Sequence, residues 1–102
     1  MLYYPMDYYF IRPCRTSAAY EAVPRSYAKL DLKKVKDNLM KQGYDITDAR
    51  MFLIVKKEVE INIYKSGRLI IRTADKLFAE RIAKELYPLL KDCGQNTGNL
   101  EL

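Results

Sequence analysis

Residues 61–90 contain a change of hydrophobic period that most constrains how this chain can fold. Apolar residues recur at every second position in two short runs, 60–64 and 68–72, which is typical of half-buried strands. The three residues between the runs, Lys65 to Gly67, predict a tight hairpin in which Gly67 supplies the left-handed conformation. After Thr73 the apolar residues recur at helical spacing, so we expect an amphipathic helix directly after the hairpin.

A second helix is predicted from about Leu32 to Gln42, because Asp31 can cap its start and Gly43 suits its end. Between the two helices the chain reads as extended over residues 44–47 and 50–56. The second of these stretches is apolar on both faces, which favours a central strand. A further strand, Ala19 to Val23, is predicted before the first helix.

This order of elements predicts an α+β two-layer sandwich: one antiparallel, five-stranded sheet with both helices on a single face. The open face must then meet water or a partner. We expect a tyrosine-rich N-terminal arm over residues 1–18, in which Tyr8 to Arg12 could form a short strand. The folded domain would occupy residues 19–92, and residues 93–102 would be a flexible tail. For the tyrosine cluster we favour structural packing over a stacking platform. Its members are Tyr3, Tyr4, Tyr8, Tyr9 and Tyr20.

Charge and cysteine content limit the partners and the cellular compartment that we expect for the protein. Eighteen basic residues against 13 acidic ones give a net charge of +5, which serves solubility or an anionic partner. Two cysteines without a pairing pattern favour a reducing cytoplasm. The longest apolar run, Met51 to Val55, is too short to cross a membrane. We therefore expect a soluble, cytoplasmic protein that does not insert into a membrane.

The sequence favours a non-enzymatic protein with no catalytic residue, cofactor or metal. Histidine, the commonest general base and metal ligand, is absent, and there is no glycine-rich phosphate loop or nucleophile motif. Cys14 lies between Arg12 and Arg15, which would lower the pKa of a thiol, but the sequence places no base beside it. Four aspartates have ordinary interpretations as a helix cap, helix surface and turns: Asp31, Asp37, Asp45 and Asp48.

Two strings resemble one lobe of the TATA-box-binding protein. KLDLKKV at 29–35 is similar to the start of that family's first helix, and INIYKSGRLIIRTAD at 61–75 is similar to its hairpin. The helix with Ala79, Arg81, Ala83 and Tyr87 follows in the same place, so the resemblance covers about residues 19–94. The whole chain also resembles an uncharacterised family of small archaeal proteins with a single such lobe. The resemblance implies the fold of that lobe.

At the DNA-contacting positions, this chain departs from the family, which uses two lobes and inserts phenylalanines into the minor groove. Tyr64 stands at one phenylalanine position and Ala49 at the other, while Ala19 and Glu21 replace residues that contact bases. The resemblance therefore does not extend to TATA recognition.

Strand alternation places five residues on the open face, and the register of the resemblance adds two more. We expect this surface to contain Met51, Leu53, Asn62, Tyr64, Arg68, Ile70 and Arg72. Arginine and tyrosine serve both protein hot spots and nucleic-acid contacts. We favour a protein partner or a homodimer, because Met51, Leu53 and Ile70 would form an apolar centre.

The alternative is DNA or RNA binding through cations of the first helix and the last strand. The residues of that alternative are Lys33, Lys34, Lys36, Arg68 and Arg72. A third interpretation is that the open face is merely solvated.

Overall fold

The computed structural model describes residues 9–15, 18–24 and 29–93. The strands are β1 (Tyr9–Pro13), β2 (Tyr20–Pro24), β3 (Asp45–Asp48), β4 (Phe52–Lys56), β5 (Glu60–Tyr64) and β6 (Leu69–Ile71). The α-helices are α1 (Leu32–Lys41) and α2 (Lys76–Leu90), and a short 3-10 helix, Lys91–Cys93, follows. The strands form one antiparallel sheet in the order β1-β2-β6-β5-β4-β3. The predicted α+β architecture is therefore confirmed.

The sheet has six strands rather than the five predicted. The additional strand, β1, pairs with β2 from Tyr9 opposite Pro24 to Pro13 opposite Tyr20. Because β1 is an edge strand, Pro13 can lack a backbone donor without breaking an inner ladder. Part of the predicted N-terminal arm thus belongs to the sheet. Tyr3, Tyr4 and Tyr8 of the tyrosine cluster lie outside the described residues.

Both helices begin at an aspartate cap, and the first of these is the predicted one, Asp31. The Asp31 carboxylate accepts hydrogen bonds from the backbone N–H groups of Lys33 and Lys34, at 3.0 and 3.4 Å. Asp75 likewise accepts from Leu77 and Phe78 at the start of α2, at 3.0 and 3.2 Å. These bonds satisfy amide donors that have no partner within the helix. The polar residues just before each apolar stripe therefore fix where the helices begin.

The core lies between the helices and one face of the sheet. In each inner strand, the residues in the core belong to a single alternation, so the other alternation faces away from both helices. The core includes residues of both helices and four strands: Ala22, Val35, Leu39, Leu53, Val55, Ile61, Ile63, Leu69, Ile71, Ile82 and Leu86. The strand residues between these positions therefore form the open face of the sheet.

Tyr87 joins α2 to the sheet through its hydroxyl group. The hydroxyl donates to the Gly67 carbonyl at 2.8 Å and also lies 3.3 Å from the Ala22 carbonyl. Its ring packs on Tyr9 with the ring centroids 4.6 Å apart. Burial, with a smaller contribution from Tyr9, raises the pKa of Tyr87. Gly67 has the predicted left-handed conformation, with φ of 89°.

The C-terminal boundary lies later than predicted. Cys93, which we expected in the flexible tail, is buried, and its carbonyl accepts from the Asp31 N–H at 2.8 Å. The rest of that tail, residues 94–102, falls outside the described residues. Within the described ranges, neither helix combines the length and apolarity needed to cross a membrane.

Candidate interface on the open sheet face

Three adjacent strands contribute one residue each to a row across the middle of the open face. Glu21 pairs with Ile70, and Ile70 pairs with Asn62. All three face away from the helices, yet they are only 7%, 7% and 6% exposed. We call this row the floor, because its side chains are almost fully buried although they face away from the helices.

Two arginines hold the carboxylate of Glu21. Arg12 Nε lies 2.9 Å from Oε1, and Arg68 Nη1 lies 2.9 Å from Oε2. A guanidinium group carries several N–H donors, so each arginine keeps donors free after this contact. Both arginine side chains are about half exposed. Glu21 therefore fixes two cations in place without consuming their capacity to bind an anion.

Two residues of the floor, Glu21 and Ile70, line a cavity of about 840 Å³ whose lining is strongly basic. Its arginines are Arg12, Arg15, Arg68 and Arg72, against one carboxylate, that of Glu21. Arg72 Nε lies 3.8 Å from Glu60 Oε1, a loose and exposed ion pair. No hydrogen bond or ion pair joins Arg15 to another residue of the described ranges. The electrostatic character of the cavity therefore suits an anion.

An aromatic pair adjoins the cavity. Phe52 and Tyr64 are partners on neighbouring strands, with ring centroids 5.1 Å apart and planes inclined by 31°. The Arg68 guanidinium lies 4.7 Å from the centroid of the Tyr64 ring, within cation–π range. Tyr64 also lines the cavity. Flat apolar surface and fixed positive charge thus lie side by side.

Five of the seven residues predicted for the open face lie at or beside the floor: Asn62, Tyr64, Arg68, Ile70 and Arg72. The prediction was wrong for Leu53, and Met51 lies outside the strands of the sheet. Leu53 is 1% exposed and packs in the core opposite Ile63, while Met51 lies before β4 and is 76% exposed. The register of β4 turns Phe52 and Ile54 to the open face instead. The predicted apolar centre therefore does not exist in that form.

The lysines of the alternative prediction lie elsewhere. Lys33, Lys34 and Lys36 belong to α1, which packs on the covered side of the sheet. Arg68 and Arg72 lie on the opposite side. The structure does not bring these two groups of cations together, so one short ligand cannot contact both.

Sequence reasoning missed four contributors to this surface: Arg12, Arg15, Phe52 and the stabilising role of Glu21. The resemblance marks Glu21 only as a replacement for a residue that contacts bases, whereas the structure holds its charge between two guanidinium groups. The signal in the sequence is the opposite charge of Arg12 and Glu21, which become cross-strand partners when β1 pairs with β2. That signal required β1 to be recognised as a strand.

A second polar cluster lies on the helix side. The Glu85 carboxylate accepts hydrogen bonds from Lys57 Nζ and the Tyr44 hydroxyl. The Lys57 ammonium, followed by the Tyr44 hydroxyl, lowers the pKa of Glu85. This cluster links α2 to the connection after β4. We interpret it as a structural tie.

The described residues contain no group of three or more His, Cys, Asp or Glu side chains placed to hold a metal ion. Cys14 lines the basic cavity, and its backbone N–H donates to the Ala19 carbonyl at 2.8 Å. No protein-family model, curated protein or solved structure matches this chain.

Proposed function

We propose that this protein is a non-enzymatic binding module whose open sheet face binds single-stranded nucleic acid. The observation that carries the proposal is the cavity with four arginines beside the Phe52–Tyr64 pair. Phosphates require fixed cations, and unpaired bases require flat side chains on which to stack. A duplex keeps its bases stacked inside, so an aromatic surface of this kind favours a single strand.

The fold proposed for the module is one lobe of the TATA-box-binding-protein type, extended by β1. In its support, β2, α1, the next four strands and α2 follow in the order on which the resemblance rests. By the resemblance, Tyr64 stands at one of that lobe's phenylalanine positions, and its ring adjoins Phe52. The aromatic surface of this chain thus corresponds to an aromatic position of that lobe. Cys14 and Cys93 do not form a disulfide, which fits the reducing cytoplasm expected from the sequence.

A protein partner or homodimer is the second candidate for the same face. It is favoured by Phe52 and Ile54, half-buried apolar residues at the β4 end of the open face. Aromatic residues and arginine are enriched in protein interfaces. We rank this candidate second because Leu53, part of its expected apolar centre, is buried in the core, and Met51 lies outside the strands that form the face.

The test is fluorescence anisotropy with labelled single-stranded RNA, single-stranded DNA and duplex DNA at two salt concentrations. Two double variants each remove two positive charges: Arg68→Ala/Arg72→Ala on the open face and Lys33→Ala/Lys34→Ala on α1. The arginine variant should bind single strands at least about tenfold more weakly and reduce the salt slope by about 1.4. The lysine variant should bind nearly as the parent does.

Equal losses in the two variants would show that binding follows net charge rather than the open face. Failure of the parent protein to bind any oligonucleotide at low salt would refute nucleic-acid binding. Sedimentation then decides the second candidate, because a dimer held by apolar contacts persists at high salt. Circular dichroism of every variant checks that the fold is intact.

A further inference from the structure

Asn62 is a buried polar side chain at the centre of the open face. It is 6% exposed, and it lies on β5 between Ile54 and Ile70 of the neighbouring strands. Within the described ranges, no group donates a hydrogen bond to its side-chain amide or accepts one from it. Nearly all buried polar groups in folded proteins have such a partner, because an unpaired one destabilises the native state.

The contrast with Glu21 in the same row is informative. Glu21 is equally buried but is held by Arg12 and Arg68. The floor therefore has one satisfied polar group and one unsatisfied polar group, with Ile70 between them. Asn62 does not line the basic cavity itself, but its strand partner Ile70 and its neighbour on the same face, Tyr64, both do.

The amide group of Asn62 determines which ligand groups can satisfy its hydrogen bonds. Asparagine offers a carbonyl acceptor and an NH₂ donor side by side, and a nucleobase edge offers the complementary pair. Adenine presents such a donor and acceptor together, at N6 and N7, and asparagine pairs with both of them in a bidentate contact. The Arg72 side chain lines the same cavity, is about half exposed and is only loosely paired with Glu60, so it can move aside for a flat ring.

We infer that Asn62 is the base-reading residue of the open face, with adenine as the expected base. This inference rests on the proposed function, because it requires a single strand on that face. It adds that binding is selective for a base and not merely for phosphate. Tyr64, two residues along β5, supplies the adjacent stacking surface.

The experiment compares uridine octamers that carry one central adenine, cytosine or guanine, with all-uridine as the reference. The parent protein should prefer the adenine octamer by about five- to hundredfold, the range of one good amide–base pair. Asn62→Leu, a change of similar size, should abolish this preference while retaining most of the affinity for all-uridine RNA. It should also keep or raise the melting temperature, because it removes a buried unsatisfied group.

Asn38→Leu is the matched control. Asn38 Nδ2 donates to the Leu89 carbonyl at 2.8 Å on the helix side, so its replacement should lower the melting temperature and leave base preference unchanged. Binding without base preference, or a preference that survives in Asn62→Leu, overturns the inference while the proposed function stands. No binding of any octamer by the parent overturns both.

Discussion

Glu21 and Arg68 are 47 residues apart in the sequence, and their side chains meet at 2.9 Å on the open face. The Glu21 side chain is largely buried, whereas that of Arg68 remains about half exposed. The carboxylate therefore acts as an anchor and the guanidinium remains available to solvent. This arrangement orients a cation without neutralising the whole cavity, since three further arginines line it.

Glu21→Gln should strengthen binding of single strands about two- to fivefold at low salt, because the cavity loses its one lining carboxylate. The cost in stability should be about 1 kcal/mol or less, because Arg12 and Arg68 are exposed enough to be hydrated. Anisotropy titrations and urea unfolding measure the two effects. Glu58→Gln is the control, since Glu58 pairs with Arg81 at an exposed site 3.6 Å apart. Weaker binding by Glu21→Gln would mean that holding Arg12 and Arg68 in place contributes more to binding than removing the negative charge of Glu21.

Leu53→Ala should destabilise the protein by about 2–5 kcal/mol, because Leu53 is fully buried opposite Ile63. Met51→Ala, two residues earlier at an exposed position, should change stability by less than about 0.5 kcal/mol. Urea unfolding of both variants tests the register of β4. Equal effects would show that Leu53 does not face the core.

Tyr87→Phe should cost about 1–2 kcal/mol, because the Gly67 and Ala22 carbonyls lose a buried donor. The pKa of Tyr87 is raised in the folded state by burial, so its contribution is fully present below the unfolded pKa of about 10. That contribution is lost as the pH rises further, toward the folded pKa. Denaturant midpoints between pH 8 and 11 should therefore fall less steeply in Tyr87→Phe than in the parent. An unchanged alkaline slope would contradict this role.

Glu85→Gln should reduce stability at neutral pH and flatten its acid dependence. Lys57, and then Tyr44, depress the pKa of Glu85 in the folded state, so the stabilisation is present above the unfolded pKa of about 4.3. It is lost as the pH falls toward the folded pKa. Thermal melts from pH 3 to pH 7 measure the effect. Lys57→Met should act in the same way, and the double variant should lose less than the sum of the two.

Arg50→Gly should stabilise the protein by about 0.5–1 kcal/mol, because Arg50 has a left-handed φ of 72° that costs a residue with a Cβ atom. Gly43→Ala tests the same backbone cost in the opposite direction, because it adds a Cβ atom to a residue with a left-handed φ. Gly43 has φ of 92°, and a Cβ atom there would meet nothing within 4 Å, so a loss of about 1 kcal/mol would come from the backbone alone. Calorimetry of both variants is sufficient. The two changes in stability should have opposite signs. Changes of the same sign would exclude backbone conformation as the cause.

The parts of this fold that sequence reasoning recovered are those encoded locally. The hairpin follows from alternation around Gly67, the first helix follows from an aspartate cap, and the second helix follows from its apolar stripe. These signals act over a few residues, so distant pairing does not alter them. The face residues of β5 were recovered for the same reason, because Ile61 and Ile63 fix its parity.

The missed features depend on long-range pairing. In β4, residues 52–55 are all apolar, so alternation cannot show whether Phe52 or Leu53 faces the helices. The answer comes from the pairing of Phe52 with Tyr64. A short strand over Tyr8 to Arg12 was considered from the sequence, but no local signal shows that it pairs with β2. Without β1, the cluster of Arg12 with Glu21 could not be predicted.

The floor is assembled from three strands drawn from different parts of the chain, and this constrains how the protein can change in length. Inserting one residue within β5 would exchange its two faces, moving Asn62 toward the helices and a core isoleucine to the open face. A residue added within the loop 57–59 would leave that parity intact. Homologues of this chain should therefore vary in length at such connections, while the spacing from Ile61 to Tyr64 stays constant.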